Sequence, residues 1–379
     1  VAGRRARARR GARTALRAGI ATALIGLVAA CAAGTGAPGQ ADDARLASEP
    51  AGTISETGSS LLYPLMRSWA AAYAKQAPGV SVTTASTSSG TGLAAAAAGT
   101  TDLGASDAYL SSGDLVKNPD LVNIPLAVSA QTVIYNLPGV SGHVRLNGAV
   151  LAGIYDGTIT MWDDPAIAAG NPGLSLPAIR IVPVHRSDSS GDTFLFTSYL
   201  STGNQSQEDQ AWNSKIGYGT TVAWPSVPGG LAKQGSLNVL HACASTVGCV
   251  AYNGISYLSQ AKADGLGEAE LANDAGQYTL PTPAAVQASV ASFVSLTPPN
   301  ETISMIDGPA AAGYPIVNYE YAVVSTRQPS AAKAGAIRAF LRWVITTGNR
   351  PAYVDTVGFQ PLPGALVTLG QQQIAEIGS

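Results

Sequence analysis

Apolar side chains recur at three- and four-residue intervals along Leu61, Leu62, Leu65, Met66, Trp69 and Tyr73, a spacing that places them on one helical face. The run VSVTT from Val80 instead alternates apolar and polar positions, as does Leu121-Val-Asn-Ile124, and both predict strands. From Ile54 onward such strand-like runs keep alternating with helical ones. That order predicts α/β lobes, each a mostly parallel sheet flanked by helices, with ligands at the carboxyl ends of the strands. At 379 residues the chain exceeds one ordinary core, so two lobes are expected.

Three places share a local design within this pattern, with Gly and Ser immediately before a helix-forming run. They are Thr57-Gly58-Ser59-Ser60-Leu61, Ser88-Ser89-Gly90-Thr91-Gly92 and Ser189-Ser190-Gly191-Asp192-Thr193. The start of a helix leaves backbone N–H groups unpaired and carries partial positive charge, which suits an anion. Gly lets the backbone approach closely and Ser adds a hydroxyl. For any one junction alone, an ordinary N-cap is the better reading. Two charged residues add to the pattern: Asp107 follows the strand-like LGAS, and Arg186 ends the strand-like VPVHR. Their bland readings are a cap for a helix from Tyr109 and a surface ion pair, respectively.

Composition supports a packed fold, with 46% hydrophobic and 12% charged residues, and the 42 Gly and 23 Pro supply frequent turns. The net charge of −2 conceals an asymmetry. Residues 1–30 hold seven Arg and no acid, which leaves 15 of the 22 bases against all 24 acids and a balance near −9 from Cys31 onward. Such a chain repels nucleic acid and has to hold an anion by local hydrogen bonds.

The Arg cluster precedes an apolar run, Ala18–Ala30, that is short for a membrane span and suited to a signal peptide. It ends in Val28-Ala29-Ala30-Cys31, small residues before a cysteine, the pattern of a bacterial lipobox. The expectation is therefore a signal peptide over 1–30, a lipid on Cys31 anchoring the protein to the outer face of the cell membrane, and a Gly/Ala/Pro-rich tether over 31–52. The tether would reach about 25 Å as a random coil, and Val1 is read as the product of an alternative start codon. Cys243 and Cys249, with five residues between them in a chain read as exported, are expected to form a disulfide. A zinc site there would lack two ligands, since His241 is the sole nearby candidate.

Taken together, TGSSLLYPLMRSW (57–69), SSGTGLAAAAAGTTDLGASDAYLS (88–111), SAQTVIYNLPG (129–139), VLAGIYDGTITMWDDPAI (150–167), VPVHRSDSSGDTFLFTSYL (182–200), GCVAYNGISYL (248–258) and GFQPLP (358–363) resemble the phosphate-binding proteins of bacterial ABC phosphate importers, especially the actinobacterial lipoproteins. The resemblance spans most of the chain after Cys31. It implies a two-lobed periplasmic-binding-protein-like fold of type II, one inorganic phosphate between the lobes, and membrane permease subunits as partners. By matched position it assigns phosphate to Ser59, Ser60, the Leu61 backbone N–H, Ser89, Asp107, Arg186, Ser190, Gly191 and Asp192. Position 60 is Ser where many members have Thr, 192 is Asp where distant members have Thr, and 189 is Ser where Gly is usual. Lobe one is expected over 53–131 and 313–379, because YPIVNYEY reads as a returning strand, and lobe two over 132–312.

The resemblance implies a binding protein that needs no cofactor or metal. An exported phosphate-ester hydrolase would also cradle phosphate with Ser and Arg, but three His without clustered ligand spacing offer little for metal-assisted hydrolysis. A surface adhesin on the same scaffold is the other alternative.

Overall fold

The computed structural model describes residues 52–202 and 207–379, so the signal peptide 1–30, Cys31 and all of the tether up to residue 51 lie outside the described residues. Twelve strands are formed: β1 Gly52–Gly58, β2 Val80–Ser86, β3 Leu103–Ser106, β4 Leu121–Tyr135, β5 Arg145–Leu146, β6 Val182–Arg186, β7 Leu231–Lys233, β8 Cys249–Gly254, β9 Gly267–Glu268, β10 Glu270–Ala272, β11 Tyr278–Thr279 and β12 Val317–Ser325. Nine of them make one sheet in the order β2-β1-β3-β12-β4-β8-β6-β7, with β9 added to β4, and β11-β10-β5 form a small second sheet.

Parallel pairing, expected for most of each sheet, holds at the two ends of the large sheet, where β1 pairs with β2 and β3, and β6 with β7 and β8. The middle is antiparallel: β4 and β12 oppose each other and their outer neighbours. The reason is directional. β4 carries the chain from one end of the sheet toward the other and β12 brings it back. β4 pairs with β12 over Leu121–Ala130 and with β8 over Gln131–Tyr135, so a single strand belongs to both ends.

The helical face foreseen from Leu65, Met66, Trp69 and Tyr73 is buried on helix α1, Tyr63–Gln76, which starts with Pro in its first turn. Leu61 and Leu62 sit in the turn before it, equally buried. Trp69 donates through its indole N–H to the Gly348 carbonyl at 2.7 Å, and Tyr73 packs edge-on against Phe340. The helix α2, Ser89–Ala97, is capped by the Ser88 hydroxyl, which accepts from the Thr91 N–H. No helix starts at Tyr109; the next one, Ser112–Lys117, is capped by Ser111, which frees Asp107 from that role. Cys243 and Cys249 are disulfide-bonded, tying the last turn of a helix to the start of β8. Among the described residues, no helix is long and apolar enough to cross a membrane.

Helix α2 lies directly on strand backbone. A Cβ on Gly92 would stand 2.6 Å from the Ala105 carbonyl oxygen and 2.8 Å from that of Thr57, and a Cβ on Gly104 would overlap the Gly92 carbonyl. Gly at both positions is thus a packing requirement. Gly104→Ala is expected to lower stability by about 1–3 kcal/mol through overpacking, read as a lower urea midpoint with an unchanged slope.

Candidate functional site

Strands β1 and β3 are parallel neighbours, with Gly58 opposite Ala105, so their carboxyl ends deliver Ser59–Leu61 and Asp107 side by side. Strand β6 ends in Arg186, and two helices supply the rest: α2 begins at Ser89, and α3, Gly191–Thr202, begins just after Ser190. A fourth Gly/Ser start, Gly235-Ser236, opens the helix α4, Ser236–Ala244. The nine residues singled out from sequence are all buried and all meet here.

Two carboxylates organise the contacts. Asp107 accepts from Ser59 Oγ and, at 3.3 Å, from Ser89 Oγ, while the Ser89 hydroxyl also accepts from the Asp107 N–H. Gly191 fits against this group, since a Cβ there would overlap the Asp107 carboxylate and lie 2.6 Å from Ser89 Oγ. Asp192 accepts from Arg186 Nη1 at 2.6 Å, from Ser236 Oγ at 2.7 Å and from Gln131 Nε2 at 3.1 Å. Arg186 Nη1 also reaches Ser60 Oγ at 3.1 Å, and Ser60 and Ser236 share a hydroxyl–hydroxyl bond of 2.7 Å. Asp188 pairs with the other side of the guanidinium through both of its oxygens. Arg186 is therefore a buried ion-pair centre and not a surface pair.

The turn preceding α1 is fixed from outside. Tyr257 donates to the Ser60 carbonyl and Ser256 to that of Leu61, whose side chain packs on Gly254. Ser189 does not have a positive φ: among described non-glycine residues only Glu301 and Asp307 do. A glycine's freedom is thus not needed at 189, and its hydroxyl bonds Thr220 at 3.0 Å. Ser190 Oγ, buried beside Gly191, has no hydrogen-bond partner among the described residues. A buried hydroxyl left so is an available donor.

Burial, reinforced by the Asp192 charge, raises Asp107 to about 6, against the lowering effect of its hydrogen bonds and of Arg186. Burial alone would lower Arg186, but its bonds to Asp188 and the charges of Asp192 and Asp188 outweigh that and raise it. The guanidinium is permanently charged and already neutralised by two carboxylates. An incoming anion is met by hydroxyls, N–H groups and a carboxylate acceptor rather than by free positive charge.

The residue pattern did not reveal Asp188, Ser236 or Gln131. A signal existed for two of them. Asp188 follows Arg186 by two positions, the spacing that shares a side in extended chain, and Gly235-Ser236 repeats the Gly/Ser design of the three recognised junctions. Gln131 had only its polarity in an otherwise buried strand. His185, by contrast, stacks on Trp224 and meets the site only through a ring nitrogen 2.9 Å from the Arg186 carbonyl.

A family model for the PBP superfamily domain matches residues 43–347. The phosphate-binding protein PstS of Xylella fastidiosa is 34% identical over 317 residues, 83% of this chain and 82% of that protein. The chain belongs to this family. PstS 3 of Mycobacterium leprae is 29% identical over 82% of this chain and 83% of its own length. The fold of a high-affinity periplasmic phosphate-binding protein solved with bound phosphate superposes with a TM-score of 0.65 at 20% identity, over 86% of this chain and 99% of the other.

Truncating Asp188 leaves two buried donors of Arg186, Nε and Nη2, without the acceptor they now have. Asp188→Ala is expected to cost about 3 kcal/mol of stability, measured by urea unfolding, and to exceed the cost of Arg145→Ala in the half-exposed Arg145–Glu270 pair.

Proposed function

We propose that this chain binds one inorganic phosphate at the site formed by Ser59, Ser60, Leu61, Ser89, Asp107, Arg186, Ser190, Gly191 and Asp192, and delivers it to the permease subunits of an ABC importer. The observation that carries the reading is a buried carboxylate, Asp107, set among hydroxyl donors with the nearby guanidinium already paired. A site for any anion would gain nothing from such an acceptor. Phosphate at neutral pH keeps at least one P–O–H donor, whereas sulfate has none and would place bare oxygen against the carboxylate. Repulsion and an unpaired acceptor then act together against sulfate. Asp107 is the chief acceptor and Asp192, already accepting three bonds, the second.

The relatives are named as binding proteins, which sets the hydrolase alternative aside. We place lobe one at 53–131 and 313–379 and lobe two at 132–312, a division supported by the change of partner along β4 at Ala130/Gln131. Placement outside the cell membrane, on a lipid at Cys31, rests on the lipobox pattern of the sequence.

Titration calorimetry tests the reading. The natural chain should bind phosphate one to one, with arsenate competing and sulfate not. Asp107→Asn should weaken phosphate binding at least tenfold and narrow its preference over sulfate, and equal affinity and preference in that variant would overturn the assignment.

A further inference from the structure

Glu320 lies on β12 and is completely buried, yet among the described residues no cation pairs with it. β12 runs antiparallel to β3 with Tyr321 opposite Ser106, so Glu320 comes beside Asp107 just past the end of the ladder. On the other side, the pairing of β12 with β4 shifts register between Glu320 and Tyr321, an irregularity of the kind that re-aims a side chain. The register sets the two buried carboxyl groups side by side, where each acts on the other's ionisation. Such a neighbourhood favours one proton held between them, because two adjacent carboxylates in a buried site do not both ionise readily.

The surrounding donors decide which group keeps the proton. Asp107 accepts from Ser59 and Ser89 and stands within the field of Arg186, although Asp192 opposes it. Glu320 accepts at one oxygen only, Oε1, from Ser129 Oγ at 2.5 Å and from Asn318 Nδ2 at 3.2 Å. No donor reaches its Oε2 among the described residues. An oxygen without donors and facing a carboxylate is the place for an O–H. The same Asn318 amide also donates to the Asp107 carbonyl at 3.0 Å, so one side chain aligns both partners.

We propose that Glu320 is a positioning residue for the anion acceptor: it stands as a neutral carboxylic acid whose Oε2–H donates to Asp107, fixing Asp107 as the ionised member of the pair and orienting it. The proposal deepens the phosphate reading and rests on it. Occupying one lone-pair direction of Asp107 leaves fewer for the ligand, so the acceptor is tuned to a single P–O–H. The protonation of each group agrees with this order. Burial and the Asp107 charge hold Glu320 well above the usual carboxylate range, while Asp107 is raised to about 6. The ionisable groups that act on the pair include Asp192 on α3, Arg186 on β6 and the phenols of Tyr257 and Tyr321, both raised by burial.

The test compares phosphate affinity from pH 5 to 9 in the natural chain, Glu320→Gln, Glu320→Leu and Asp107→Asn, each at matched pH so that the titration of phosphate itself cancels. The glutamine amide can still donate to Asp107 and accept from Ser129. Glu320→Gln should therefore stay within about threefold of the natural chain, with the acid loss of binding at the same pH. Glu320→Leu removes the donor, raises Asp107, and should weaken binding about tenfold while moving that acid limb to higher pH. If Glu320 were instead ionised, Glu320→Gln would delete a neighbouring negative charge, tighten binding and move the limb to lower pH, which overturns the proposal. An unchanged profile in a folded Glu320→Leu chain overturns it as well. Carbon-13 NMR of the Glu320 carboxyl gives a readout independent of phosphate: its shift should stay at the protonated value throughout, and a carboxylate value at pH 7 refutes the assignment. Equal phosphate affinity in Asp107→Asn would refute the phosphate reading while leaving the NMR result to decide the proton's position.

Discussion

The Arg186 guanidinium is cancelled inside the fold by Asp188 and Asp192, and the character of the site follows from that pairing. Burying such a group is costly unless the geometry is good and the remaining hydrogens are bonded. Here β6 ends with Arg186 and Asp188 two residues apart, the first turn of α3 brings Asp192, and Tyr252 accepts from the Arg186 backbone N–H while sharing a bond with Thr193 on α3. Positive charge is thus spent on holding elements together. What remains for a ligand is a set of directed donors and one raised carboxylate, an arrangement that acts at contact distance and does little to attract an anion from afar.

The same network ties together segments remote in sequence. Ser60 and Ser236 are 176 residues apart and hydrogen-bond through their hydroxyls, and Asn318 reaches the Asp107 carbonyl from β12. No short stretch of the chain contains the site. It exists only where β1, β3 and β12 at one part of the sheet meet α3, β6 and α4 from the other.

This explains which parts were legible in the sequence. Helical spacing gave α1 and alternation gave β2, because each depends on local burial alone. The Gly/Ser junctions and the carboxylate after LGAS were readable for the same reason: close backbone approach and strand-end chemistry leave marks on consecutive residues. The antiparallel middle of the sheet was not readable, since strand direction is set by where the chain returns, not by its periodicity. Glu320 shows the limit most clearly. NYEY reads as a returning strand, but the value of its acid comes from a register with β3 that alternation does not specify.

The placement of β12 has a consequence for how the chain reaches this state. It is the strand between β3 and β4, so those two do not share a sheet until residues 317–325 are available, although both precede residue 136. Contacts of such long sequence separation form late and slowly. Until then β3 and β4 present unpaired edges to one another, and the nascent chain is open to mispairing. A polypeptide whose central sheet closes only when residues 317–325 are in place commits to its final packing late, because no earlier segment can substitute for the strand that joins its two ends.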